Sequence, residues 1–179
     1  MLLALFFLIA CGGCAQEQAR PEPHYVQAQG IFAAVSAQDL LSARELAREM
    51  DGSALQPASD RTQEHLDRVH GGMGFLIVAE DRLEGAQAVA GIGHGCGGCH
   101  AQLRVAQGPV GVGLNGAWTG LWRGDFTGSL AASQACAAER GQPLEEARPD
   151  TAGELDAARA FALLLAGGSA CAPQEGSVP

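Results

Sequence analysis

The residues best suited to chemistry form one short motif, Cys-Gly-Gly-Cys-His at positions 96–100. Two thiols at this spacing, Cys96 and Cys99, can each add to one of the two vinyl groups on one edge of a porphyrin. The two intervening glycines leave room for the ring edge. His100 lies four residues beyond Cys96, on the same helical face, and can bind iron on the tethered side. The spacing predicts one covalently attached haem c, with His100 as the proximal axial ligand.

Two other kinds of thiol site fit the motif less well. A zinc site would combine the motif with His94, which places four ligands within seven residues. Tetrahedral zinc sites usually separate the two ligand pairs by a dozen residues or more. A thioredoxin-like Cys-x-x-Cys needs a βαβ context, which the sequence lacks. A second Cys-x-x-Cys, at positions 11–14, is not followed by histidine and is interpreted as incidental.

Any second axial ligand must precede the motif, because His100 is the last histidine and Met73 the last methionine. We expect a helical hairpin that turns near residues 80–81, in which His70 and His100 lean toward the same end. His70 is therefore the predicted distal ligand. Met73 and His65 are alternatives, and an open sixth position is a further one. The glycines that surround His70 would suit a close approach of the porphyrin.

His94 lies two residues before Cys96 and points in a different direction from His100. We expect it to be exposed or to lie near a haem propionate.

The N-terminal residues read as a targeting signal. Residues 1–10 are apolar and uncharged, but a helix needs about 20 residues to span a bilayer. They are typical of the core of a signal peptide. The sequence Leu-Ile-Ala-Cys at 8–11 resembles a bacterial lipobox, which predicts a lipid anchor on Cys11 and a flexible tether over 11–23. A signal peptide cleaved nearby is the alternative.

Both interpretations predict export, to the periplasm or to the inner or outer membrane as a lipoprotein. Haem is attached to Cys-x-x-Cys-His motifs after export, so the predicted export signal is consistent with the predicted haem site. The membrane contact expected is the N-terminal lipid alone.

Composition excludes a nucleic-acid binder and favours a folded chain. The 179 residues include 20 acidic and 11 basic ones, all arginine, for a formal charge of −9. Binding to phosphates needs a basic face, which this balance does not favour. Apolar residues make up 47% and charged ones 17%, which is sufficient for a core. An acidic protein favours redox partners that carry a basic patch.

Prolines and capping signals divide the chain into about five helices. They run from about 25 to 50, from after the capping signal at 59–60 to about 78, from after 81 to beyond 100, from about 114 to 139 and from about 151 to 166. Short connections between amphipathic helices predict an all-α antiparallel bundle. We expect a haem-binding half at 24–108, a degenerate half at 109–172 and a tail at 173–179. If the last two helices form a hairpin, Cys136 and Cys171 lie more than ~20 Å apart, so no disulfide between them is expected.

A helical chain with a late Cys-x-x-Cys-His resembles the cytochrome c-prime class. It is also similar to a group of exported bacterial haem-c proteins built from two helical halves. Residues 121–124, Leu-Trp-Arg-Gly, resemble that group's Leu-Trp-x-Gly step. Residues 164–172 resemble its closing motif, with Gly168 in place of the first cysteine and Ala172 in place of the histidine. The resemblance implies a lost second haem site, in which Cys171 is a relic. The group's equivalent of His70 tends to be methionine, which implies an axial role at that position.

An internal repeat is consistent with two halves. Asp39 aligns with Asp125, Phe32 with Trp118, and Cys99 with Cys171. A chance match between alanine-rich helices is the alternative.

The function predicted from these observations is one-electron transfer by a monohaem c-type cytochrome, an electron carrier without catalytic residues of its own. The alternative is a five-coordinate haem module that binds a small gas, NO or CO. A haem peroxidase, with His65 and Arg68 on the distal side, is a third interpretation.

Overall fold

The computed structural model describes residues 23–52, 59–105, 108–141, 144, 154–167 and 171. The predicted signal peptide, Cys11 and the tail at 173–179 lie outside these residues, as does nearly all of the tether. The predicted all-α fold is confirmed, since the described residues form helices and no strand. None of these helices is both long enough and apolar enough to cross a membrane.

Seven α-helices are described, where the sequence predicts about five. They are α1 (Pro23–Ser36), α2 (Leu40–Gly52), α3 (Gln63–Val78), α4 (Arg82–Leu103), α5 (Gly113–Arg123), α6 (Phe126–Glu139) and α7 (Glu154–Ala166). A short 3-10 turn, Asp60–Thr62, precedes α3. The structure has two more helices than predicted because the first and fourth predicted helices each break in the middle.

Both breaks use the same local chemistry. Gln38 and Gly124 adopt positive φ angles of 64° and 81°, which end α1 and α5. The next residue in each case is an aspartate that caps the following helix. Asp39 accepts a hydrogen bond from the Ser42 backbone N–H at 3.0 Å, and Asp125 accepts one from the Gly128 N–H at 2.9 Å. A left-handed residue followed by an N-cap stops one helix and starts another.

The predicted hairpin of α3 and α4 is confirmed. Asp81 caps α4 by accepting a hydrogen bond from the Glu84 N–H at 2.9 Å. From the turn onward, glycines bring the two helices together. The backbone of Gly72 lies against Ile92, and that of Gly95 against Val69. These pairs lie nearly equally far from the turn, which is the antiparallel alignment expected.

Helix α4 is the central helix of the described fold, and it packs against α1, α3, α5 and α7. All but two of its residues from Gly85 to Gly98 are buried. A helix surrounded on all sides has no polar face, which explains why its sequence carries almost no charged residues there.

Aromatic side chains join α1 to α5 and α7. The rings of Phe32 and Trp118 are stacked, with centroids 5.0 Å apart. Phe161 of α7 packs against both, at 5.9 Å from Phe32 and 5.7 Å from Trp118. The Trp118 indole N–H also donates to Oε1 of Gln29 at 2.8 Å. This cluster holds the N-terminal helix on the rest of the bundle.

The expected absence of a bridge between Cys136 and Cys171 is wrong. The two cysteines form a disulfide, with Cα atoms 5.6 Å apart. Helices α6 and α7 are not an antiparallel hairpin, because Arg140, just after α6, donates to the carbonyl of Leu164, near the end of α7, at 3.1 Å. Their C-terminal ends therefore lie together. The interval between Glu139 and Glu154 is long enough for this parallel arrangement.

The aspartate cap at the α5–α6 step is a test of this fold. Replacing Asp125 by alanine leaves the Gly128 N–H without its acceptor and is expected to lower the free energy of unfolding by about 1 kcal/mol. Asp125→Asn retains a side-chain acceptor and is the matched control. Urea denaturation followed by circular dichroism measures both. Equal loss in the two variants would contradict the capping role.

The disulfide makes a second test. It closes a loop of 35 residues, and a loop of this size is expected to stabilise the fold by about 4 kcal/mol through the entropy of the unfolded chain. The double variant Cys136→Ala, Cys171→Ala should be less stable by this amount in denaturant titrations. Adding a reductant should destabilise the parent protein and leave the variant unchanged. A parent that is insensitive to reductant would argue against the bridge.

Candidate haem site

The predicted haem-attachment residues lie in the last two turns of α4. Cys96 is 7% exposed, while Cys99 and His100 are partly exposed. Both thiols are free. The helix ends just beyond them at Arg104, which is left-handed with φ of 52°. The thiols and the imidazole are thus held on regular helix, close to its C-terminal end.

The His100 ring is oriented by α5. Its Nδ1 atom lies 2.9 Å from the backbone carbonyl oxygen of Trp122. A carbonyl only accepts, so Nδ1 carries the proton and Nε2 carries the lone pair, which is the tautomer that binds a metal through Nε2. The Trp122 indole packs edge-on against the same imidazole, with centroids 4.4 Å apart. Metal-binding histidines are typically held in this way, through the ring nitrogen that does not bind the metal.

The glycines of the motif serve the protein's own packing rather than leaving open room. A Cβ at Gly97 would overlap the carbonyl oxygen of Leu121 and approach Gly124 at 3.0 Å. A Cβ at Gly98 would overlap the ring of His65. The sequence prediction that both positions make space for a porphyrin edge is therefore wrong in its geometry. They make space for α5 on one side of α4 and for a histidine of α3 on the other.

The three predicted distal candidates lie in different environments. His65 is 7% exposed, and its ring lies against Gly98. Its Nδ1 is buried without a hydrogen-bond partner. His70 is about one-third exposed, and its Nδ1 lies 2.7 Å from Oδ1 of Asp51, near the end of α2. Met73 is fully buried in the core. The structure thus brings His65 to the motif, while His70 faces α2.

His65 nevertheless lies behind the motif. Residues two apart point to nearly opposite sides of a helix, and Gly98 is two residues from both Cys96 and His100. The His65 ring therefore lies on the side of α4 away from those two side chains.

A histidine to which the sequence reasoning gave no role lies beside His100. The ring of His24, at the start of α1, has its centroid 6.3 Å from that of His100, with 44° between the ring planes. The sequence does not predict this pair, because His24 lies far from His100 in the chain and directly follows the predicted tether. A usable signal was the series Tyr25, Gln29 and Phe32, which follows a helical face and contacts α5.

The electrostatics of the thiols argue against the other sites. Burial raises the pKa of Cys96 to about 12, with a smaller contribution from Cys99, and burial also raises the pKa of Cys99. Reactive Cys-x-x-Cys thiols need the thiolate, which this burial disfavours. In the part of the chain that the structure describes, no three His, Cys, Asp or Glu side chains are placed to hold a metal ion.

The fourth member of the zinc set is also placed differently from expectation. His94 is 5% exposed, so the prediction of an exposed side chain is wrong. Its ring packs edge-on against Phe126, with centroids 5.8 Å apart. The physical reason is that α4 is covered on all sides, so that a residue facing away from the motif meets another helix.

The side chains present fit a haem. A porphyrin supplies four ligands to its iron, so one or two imidazoles complete the coordination. The chain offers two thiols one turn apart and an imidazole whose Nδ1 is held by a backbone carbonyl. It also offers the indole N–H of Trp122, which is buried and has no hydrogen-bond partner. A donor in that position suits a carboxylate such as a propionate.

The glycines give a test of this packing. Gly97→Ala is expected to destabilise the fold by about 2 kcal/mol, because its Cβ meets the backbone of α5. Gly74→Ala is the control, since that helical position has nothing within 4 Å of the added atom, and alanine there should stabilise by about 0.5–1 kcal/mol. Denaturant titration measures both. A neutral Gly97→Ala would show that α5 does not lie this close to α4.

Comparison with known proteins leaves the family open. No family model, curated protein or solved structure matches this chain. The resemblance to helical-bundle haem-c proteins therefore stays a prediction, and the functional argument depends on the motif and on the geometry around it.

Proposed function

We propose that this protein is an exported monohaem c-type cytochrome that carries single electrons between redox partners. The observation that carries the proposal is the orientation of His100. Its Nδ1–H donates to the Trp122 carbonyl at 2.9 Å, which presents Nε2 on the helical face that also carries Cys96. A thiol pair and a directed imidazole on one face are what covalent haem attachment requires.

The bound group would supply an iron that cycles between the ferric and ferrous states. The chain supplies the rest. Cys96 and Cys99 would hold the porphyrin edge, and His100 would hold the iron. The Trp122 ring packs on the imidazole and limits its rotation. A rigid, pre-oriented ligand lowers the reorganisation that each electron transfer requires, which suits a carrier.

The charge of the chain supports a protein partner of opposite sign. The formal charge is −9, and there is no lysine. Complementary charge speeds encounter between proteins and is screened by salt. We propose a redox partner with a basic patch, and a lipid on Cys11 that keeps the protein at the membrane surface.

The attachment residues give the direct test. Protein matured in a host with haem-ligation machinery should stain for haem after denaturation and should gain the mass of one haem. Cys96→Ala and Cys99→Ala each remove one thioether and should reduce the covalent haem strongly, with loss of all staining in the double variant. Cys136→Ala, Cys171→Ala is the control, because it removes the same number of cysteines away from the motif, and circular dichroism establishes that it is folded.

A colourless parent protein with the mass of the polypeptide and any lipid would overturn the proposal. Retention of covalent haem in the double variant at Cys96 and Cys99 would also overturn the assigned attachment residues.

A further inference from the structure

We propose that His24 is the second axial ligand of the haem iron, so that the protein has a six-coordinate bis-histidine centre formed by His24 and His100. This inference rests on the proposed function, because it requires the haem. The inference goes beyond the proposed function because it names the second axial ligand and hence the coordination state of the iron.

The separation of the two rings is the first argument. An imidazole nitrogen binds a first-row metal at about 2 Å, and the centre of an imidazole lies about 1.1 Å from its own nitrogen. Two imidazoles that bind one metal from opposite sides therefore have ring centres about 6 Å apart. The centroids of His24 and His100 are 6.3 Å apart. The observed separation is therefore the one that a single iron between the two rings would require.

The packing of α1 against α5 is the second argument. The ring of Tyr25, next to His24, lies 4.4 Å from the Trp122 ring. The same Trp122 ring lies 4.4 Å from His100, and its carbonyl accepts the His100 Nδ1–H. One tryptophan thus contacts both His100 and the residue next to His24. Further along α1, Gln29 and Phe32 contact Trp118, one turn before Trp122.

The placement of the other histidines is the third argument. His65 packs against Gly98, on the opposite side of α4 from His100. His70 is paired with Asp51 at 2.7 Å, and His94 packs against Phe126. Among the described histidines, His24 is the one whose ring lies beside that of His100.

Two nitrogen ligands have a defined consequence for the iron. They occupy both axial positions, give a low-spin centre in both oxidation states and leave no site for a gas. The inference therefore separates electron transfer from binding of NO or CO, the alternative drawn from the sequence.

The experiment compares His24→Ala with His70→Ala in the haem-loaded protein. The parent should show a low-spin ferric signal in electron paramagnetic resonance, and its reduced spectrum should not change under CO. His24→Ala should become high-spin and bind CO with near-complete conversion. Added imidazole should restore the low-spin spectrum. His70→Ala should keep the spectra of the parent. Haem staining and far-ultraviolet circular dichroism establish that each variant carries haem and is folded.

His24→Met provides a variant that keeps an axial ligand. It should remain low-spin and shift the reduction potential upward, because methionine favours ferrous iron. This variant keeps the inference testable if the alanine variant does not fold.

The outcomes distinguish this inference from the proposed function. A parent without covalent haem overturns both. A parent that carries haem but is high-spin and binds CO overturns the role of His24 alone and supports a gas module. A low-spin spectrum that survives in His24→Ala, or that is lost in His70→Ala, assigns the ligand elsewhere and also overturns it.

Discussion

The candidate site depends on the contact between α5 and the C-terminal half of α4. Trp122 supplies a backbone carbonyl that fixes the tautomer of His100 and a ring that packs against both His100 and Tyr25. The hydrogen bond itself contributes only about 1 kcal/mol to stability. Its importance is directional, because without it the imidazole would rotate and Nε2 would have no fixed position. The site is thus oriented by backbone placement rather than by a network of side chains.

Close helix packing is what makes that contact possible. Gly93 lies against the side chains of Trp118 and Leu121, and Gly97 lies against the backbone of α5. Each glycine in a helix costs about 0.5–1 kcal/mol relative to alanine, and α4 contains six between Gly85 and Gly98. On its own such a helix would be unstable, since most helical stability in proteins comes from tertiary packing. The burial of α4 by four other helices offsets this cost, and the site is therefore rigid only in the assembled bundle.

The sequence predicts features that depend on local signals and fails where the outcome depends on long-range geometry. The all-α class and the α3–α4 hairpin follow from helical periodicity, capping at Asp81 and a short turn. The breaks at Asp39 and Asp125 were missed because a single aspartate in a helical pattern reads equally well as a solvated face or as an N-cap. The parallel arrangement of α6 and α7 was missed because a short connection was assumed.

The candidate site divides in the same way. The attachment residues follow from spacing alone, whereas His24 becomes a candidate only when α1 is packed on α5. His70 is the predicted distal ligand because of its position along the axis of the α3–α4 hairpin. Position along a helix axis does not determine the direction in which a side chain points, and the ring of His70 points toward Asp51.

The positions that the predicted internal repeat aligns are similar in local structure and differ in chemistry. At the positions that it aligns, Gln38-Asp39 and Gly124-Asp125 have the same combination of left-handed residue and N-cap. Phe32 and Trp118, also aligned, stack on each other. The aligned pair Cys99 and Cys171 then differ in chemistry.

Cys99 keeps a partner thiol one turn away and a following histidine, whereas Cys171 has Gly168 and Ala172 at those positions. Cys171 is instead bonded to Cys136. Under the proposed function, Cys99 would hold haem, whereas Cys171 has a structural role. This disulfide joins Cys171, beyond α7, to the end of α6.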